Sequence, residues 1–255
     1  MPLEIATIPC LADNYAFAIH SPETGETALV DAPEELPIER ALSRRGWTLT
    51  HILITHHHYD HIDAVEPLRA ATGAKVIGAQ ADAGRLPSLD LVVADGQSFD
   101  FAGHAVQVFD VSGHTVGHIA FYIPDANAVF TADSLMALGC GRLFEGTAPQ
   151  MWASLCKLAA LPAETLVCSG HEYTAANARF AATIEPDNPA LQTRIAAITK
   201  ARANSQPTVP STLAEELATN PFLRAGLPEV KALLNMTDQP DAAVFAEIRQ
   251  RKDRF

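Results

Sequence analysis

The chain has 255 residues, 48% of them hydrophobic and 19% charged, with a net charge of −12 and an isoelectric point near 5.2. Such an acidic protein is a poor partner for phosphate backbones, which excludes general nucleic-acid binding. Its apolar runs are too short to span a bilayer, so no membrane partner is expected. The start, Met1-Pro2-Leu3-Glu4-Ile5, has no basic segment followed by an apolar one, and a cytoplasmic setting is the expectation. Cys10, Cys140, Cys156 and Cys168 form no C-x-x-C pair and read as reduced, mostly packing thiols.

Taken in chain order, Thr27–Asp31 is a short apolar run ending in an acid. Thr48–Thr55, with Ile52-Leu53-Ile54, reads as a buried strand. Val65, Leu68 and Ala71 at helical spacing predict a helix over 63–72, followed by a strand at 74–78. Strands are expected at 105–111, 119–123, 128–131 and 165–168, with Pro124–Asn127 as the turn of a hairpin. Beyond about Tyr173 alanine and leucine dominate. Asn188-Pro189 reads as an N-cap with a first-turn proline, and Thr212–Glu215 as a capping box. Residues 241–252 are helical by pattern, with Val244, Phe245 and Ile248 on one face. These features predict a mixed α/β domain over 1–173 and an all-helical domain over 174–255.

The chemistry concentrates in Thr55-His56-His57-His58-Tyr59-Asp60-His61, directly after a buried strand. Alternate side chains of an extended segment share a face, so His56 and His58 point together and His57 points away. Asp60 and His61 follow as the chain turns into a helix. Imidazoles and a carboxylate suit Zn²⁺ and related ions. Further donors stand at strand ends: His114 after Gly113, Asp133 after Ala132, and His171 after Gly170. His57 is expected beside the ligands or in solvent, His118 in packing, and His20, His51 and His104 in structural roles. Glu172 reads as a hydrogen-bonding residue. Asp31 either braces the metal loops or caps a turn.

The order T-H-x-H-x-D-H, G-H-T, a strand-end Asp and a late G-H resembles the metallo-β-lactamase superfamily. The resemblance implies an αββα sandwich with a dinuclear site. One metal would be held by His56, His58 and His114, the other by Asp60, His61 and His171, with Asp133 bridging. Asp13-Asn14-Tyr15, the segment Gly139–Thr147, Gly170–Thr174, Asn220-Pro221-Phe222 and the ending Arg249–Asp253 resemble its glyoxalase II branch (hydroxyacylglutathione hydrolases). That branch implies hydrolysis of S-D-lactoylglutathione, a glutathione thioester, by a metal-bridging hydroxide. Asp60 and Asp133 would serve catalysis, and Arg142, Phe144, Tyr173, Arg249 and Lys252 the substrate. Arg142 and Phe144 stand where the branch often has Lys and Tyr. Two divalent ions are implied, zinc foremost, with iron or manganese as alternatives, and a monomer is expected. The competing readings are a one-iron glutathione persulfide dioxygenase, a β-lactamase or lactonase, and a binding module without catalysis.

Overall fold

The computed structural model describes residues 2–255, which fall into two units, one comprising residues up to Val111 with Val116–Ala132, the other Ser112–Thr115 with Asp133–Phe255. The first unit starts with β1 (Glu4–Cys10) and β2 (Asn14–His20), an antiparallel pair. Then come β3 (Glu26–Val30), α1 (Glu35–Arg45), β4 (Thr48–Leu53), α2 (Tyr59–Ile62), α3 (Val65–Thr72), β5 (Lys75–Ala79) and β6 (Leu91–Val93). β3, β4, β5 and β6 pair parallel in that order, which requires crossover connections: α1 joins β3 to β4, α2 and α3 join β4 to β5, and residues 80–90 join β5 to β6 without an α-helix. Gly46 and Gly73 end α1 and α3 in the left-handed conformation, which glycine adopts without strain. Ile38 and Leu42 of α1 and Val65 and Leu68 of α3 join one core cluster with the strand residues Ala18, Leu29, Ile52 and Val76.

The unit closes with β7 (Ser98–Phe101), β8 (His104–Asp110), β9 (Ile119–Ile123) and β10 (Ala128–Ala132), successive antiparallel neighbours in a second sheet. Asn127 takes the left-handed conformation that closes the 123–128 hairpin. The sheets meet face to face: Phe17 of β2 packs edge-on to Phe130 of β10 at 5.7 Å, and His51 of β4 onto Phe101 of β7 at 5.5 Å.

In the second unit, β11 (Leu135–Met136) and β12 (Gly139–Cys140) form a tight hairpin, followed by α4 (Ala148–Ala159), β13 (Leu166–Ser169), α5 (Thr174–Ile184), α6 (Pro189–Ala203), β14 (Ser211–Thr212), α7 (Leu213–Thr219), α8 (Pro228–Leu233) and α9 (Asp241–Arg254). α4 packs on α9 and α5 on α6. Asn188 caps α6 by accepting from Ala190 N and Leu191 N. Thr212 and Glu215 form the expected capping box at α7, and Thr147 and Gln150 form another at α4. The expectation of an all-helical region over 174–255 needs one correction. Ser211 and Thr212 are a strand, paired with Val167 and Leu166 of β13. Among the described residues no helix is long and apolar enough to cross a membrane.

Candidate metal centre

In the first unit the chain leaves β4 extended and stays so through His58, the residue before α2. Alternation therefore sets the side chains. His56 Nε2 and His58 Nδ1 converge at 3.1 Å, while His57 turns away and bonds Asp82 through Nδ1 at 2.9 Å. The turn into α2 brings the His61 ring to 4.2 Å from that of His56. Asn14 Nδ2 donates to both the carbonyl and the Oδ2 of Asp60, each at 3.0 Å, which fixes that carboxylate.

Asp31 is buried at positive φ and braces this loop. Its Oδ1 accepts from Thr55 N at 2.9 Å, and its Oδ2 from Thr55 Oγ1 at 2.9 Å and from His61 Nδ1 at 2.7 Å. A carboxylate can only accept, so the His61 proton sits on Nδ1 and Nε2 keeps its lone pair. The Thr55 hydroxyl gives its one hydrogen to Asp31, so it accepts from His56 Nδ1 at 3.0 Å, and His56 Nε2 is likewise left as a donor atom for a cation. Of the two roles open for Asp31, the structure favours bracing. Asp31→Asn keeps the shape and tolerates the backbone but leaves one donor unmet. The expected result is stability lowered by about 2 kcal/mol, read as a fall in Tm, and metal held roughly 10–100-fold more weakly in chelator competition; unchanged retention would remove the bracing role. His118 is fully buried, stacked on His56 at 4.5 Å, and donates to Ile119 O, as packing requires.

In the second unit Asp133 is 6% exposed and turns one oxygen to each of two imidazoles: Oδ2 lies 3.4 Å from His114 Nε2 and Oδ1 3.3 Å from His171 Nε2. His114 Nδ1 bonds Arg142 O at 2.7 Å, which leaves its Nε2 with the lone pair. The donor chemistry thus fits divalent cations: a carboxylate spanning two imidazoles here, and fixed, deprotonated imidazole nitrogens in the first unit. Gly141 is required where it stands, because a Cβ would lie 2.0 Å from Asp133 O. The loop beyond it folds over the His114 backbone, with Phe144 N and Glu145 N both donating to His114 O.

The residues expected to meet substrate all lie in this second unit. Phe144 is exposed with its ring 5.2 Å from that of His114, and Tyr173 stacks on His171 at 4.6 Å. Arg142 is exposed, 3.5 Å from Asp253. Arg249 is differently placed: it is buried, with Nη1 on Cys140 O at 3.0 Å and with Nε and Nη2 on Asp253 Oδ1. Its fork is engaged by the protein itself, a commitment that spacing on α9 does not reveal. Lys252 lies over the rings of Phe180 and Phe255 at 5.2 and 5.3 Å. Burial, then the neighbouring cations Arg249 and Arg179, lower its pKa to about 8, against a smaller raising influence of Cys140. Glu172 accepts from Thr208 N and Oγ1 and from Arg202, the hydrogen-bonding role expected of it. Cys140 is buried, and burial raises its thiol pKa to about 11. Sequence reasoning gave no role to Asn14 or Asp82, whose partners are 46 and 25 residues away.

A family model described as the metallo-beta-lactamase superfamily matches residues 14–171, and one described as the hydroxyacylglutathione hydrolase C-terminus matches 172–255. A protein of Ruegeria pomeroyi named hydroxyacylglutathione hydrolase is 64% identical, over 100% of both chains. Among solved structures, ETHE1 from Myxococcus xanthus is similar at a TM-score of 0.66 and 26% identity, covering 100% of both chains. TTHA1623, solved in a di-iron-bound form, is similar at 0.55 and 29%, covering 67% of this chain and 91% of its own. With the metallo-β-lactamase fold and a helical C-terminal region matched along its whole length, the chain belongs to the hydroxyacylglutathione hydrolase family.

Proposed function

We propose that this chain hydrolyses S-(2-hydroxyacyl)glutathione, S-D-lactoylglutathione above all, to glutathione and the 2-hydroxy acid, the second step of methylglyoxal detoxification. The observation that carries this reading is the 64% identity, over the full length, to a relative bearing that enzyme's name. It is a hydrolase of a small-molecule substrate, and we take it to be a cytoplasmic monomer. Residues 1–173 form the catalytic part and 174–255 the substrate-binding part.

His56, His58 and His114 would hold one divalent ion, Asp60, His61 and His171 a second, and Asp133 both; zinc leads, with iron and manganese served by the same donors. When bound, such ions acidify water to a nucleophile near neutral pH and polarise the carbonyl under attack. The protein supplies the rest. Asn14 donates to Oδ2 of Asp60 and so fixes the carboxylate that would hold the second ion and orient the attacking water. The thiolate leaves with a conjugate acid of pKa about 8.5, so no strong general acid is needed. Arg142, Phe144 and Tyr173 line the glutathione groove, Lys252 meets a carboxylate, and Arg249 supports the loop that carries Arg142.

A thioester assay with S-D-lactoylglutathione, paired with metal analysis, tests this. Turnover with about two metals per chain is expected. A fully loaded protein that is inert to the thioester but consumes oxygen with glutathione persulfide would replace the reading with the dioxygenase one. Lys252 adds a pH signature. The cation binds a carboxylate and the neutral amine does not, so KM is expected to stay flat below pH 8 and to rise above it. Lys252→Arg should abolish the rise; a rise that persists would remove Lys252 from the site.

A further inference from the structure

Asn220-Pro221-Phe222 follows α7 and has no part in the chemistry so far. Asn220 is fully buried. Its Oδ1 accepts from Phe222 N at 3.0 Å, which orients the carboxamide so that Nδ2 faces the β11–β12 hairpin. There Nδ2 lies 3.0 Å from each of Met136 O and Gly139 O, the two ends of the turn. One helical turn earlier, Glu216 is equally buried and takes Leu138 N on Oε2 at 2.8 Å. Arg194 and Ser211 Oγ occupy its other oxygen. Asn177 of α5 donates to Ala137 O at 3.0 Å, and Arg249 of α9 to Cys140 O.

Five consecutive residues, Met136 to Cys140, thus have backbone polar groups held by side chains from the helical region, beyond the short ladder that pairs Leu135 with Cys140 and Met136 with Gly139. Leu138 sits in the turn at positive φ with its side chain in the cluster of Ala178, Ala181, Leu191 and Ile198. A two-residue strand pair cannot hold such a turn unaided. The residues leaving the hairpin are Gly141, Arg142 and Phe144. Gly141 passes against Asp133 O, and Arg142 O accepts from His114 Nδ1.

We infer that Asn220, Glu216 and Asn177 are positioning residues for substrate: through the 136–140 backbone they set the Gly141–Phe144 loop that receives glutathione. The inference rests on the proposed thioesterase reading. It also gives the helical region a second task, shaping a loop that lies outside it in sequence.

The test uses the metal-loaded full chain with Asn220→Ala and Asn177→Ala, the latter releasing only Ala137 O. Two quantities are read: the KM and kcat for S-D-lactoylglutathione, and amide hydrogen exchange along the chain. For Asn220→Ala the expectation is a KM raised about 10-fold with kcat within about twofold, and faster exchange confined to 136–144. Asn177→Ala should raise KM about threefold in the same pattern. A fall in kcat at constant KM, faster loop exchange with no change in KM, or exchange quickened throughout the chain, as a merely structural defect produces, would each overturn the positioning role. If Asn220→Ala does not fold, Asn177→Ala decides alone by whether its KM rises. If the wild-type protein leaves the thioester intact, the thioesterase reading is what has failed. Exchange then judges the clamp by itself: a change confined to 136–144 supports it and a uniform one rejects it.

Discussion

Replacing Asp133 with alanine is expected to remove most of the bound metal and about 10³-fold or more of the turnover. Its two oxygens face His171 and His114 at 3.3 and 3.4 Å, so one substitution strips a negative donor from beside both imidazoles. Electrostatic stabilisation by a metal site is worth several kcal/mol, and each 1.4 kcal/mol is tenfold in rate. Asp133→Asn retains a carbonyl oxygen without the charge and should fall between alanine and wild type. Elemental analysis beside steady-state kinetics checks both. Metal content and turnover within about twofold of wild type in the alanine variant would end the assignment of Asp133 as a shared ligand.

Gly141→Ala should be nearly as damaging with one methyl group. The new Cβ would lie 2.0 Å from the Asp133 carbonyl oxygen and 2.9 Å from His114 Nδ1. The first neighbour is backbone, with no rotamer to relieve the overlap, so either the loop or Asp133 must move. Overpacking of this kind costs about 1–3 kcal/mol, and displaced support of ligands typically loses 10–100-fold in metal affinity. Gly25→Ala is the control. Nothing stands within 4 Å of its added Cβ, its positive φ costs about 1–2 kcal/mol of stability, and turnover should not change. Equal behaviour of the two variants in thermal melts and chelator competition would show that the contact with Asp133 is not what makes Gly141 necessary.

The histidine segment was legible because a strand exit imposes a period of two. His56 and His58 had to share a side and His57 had to leave it, whatever lay around them. The caps of α6 and α7 were legible for the same reason: both sides of each interaction lie within a few residues. What stayed hidden depends on partners far along the chain. Whether Asp31 braced or capped turned on His61, 30 residues away. Arg249, expected among the substrate residues, has its guanidinium on Cys140 O, 109 residues distant. β14 has two residues, too few for any periodicity, and exists because β13 offers it an edge. Glu216 carries the acid of an ordinary amphipathic helix, and only packing reveals it as fully buried.

The hairpin at 135–140 also bears on how this chain can be recombined with its relatives. The two family descriptions meet between residues 171 and 172, a natural place to splice one homologue's helices onto another's catalytic part. A chimaera cut there would pair the hairpin of one parent with the Asn177, Glu216, Asn220 and Arg249 of the other. Any co-adapted difference in that turn would then be exposed. A crossover at 132/133, where the contact pattern changes, carries the hairpin together with all four side chains that hold it. Fusions made at the second junction should keep their affinity for glutathione thioesters more often than fusions made at the first.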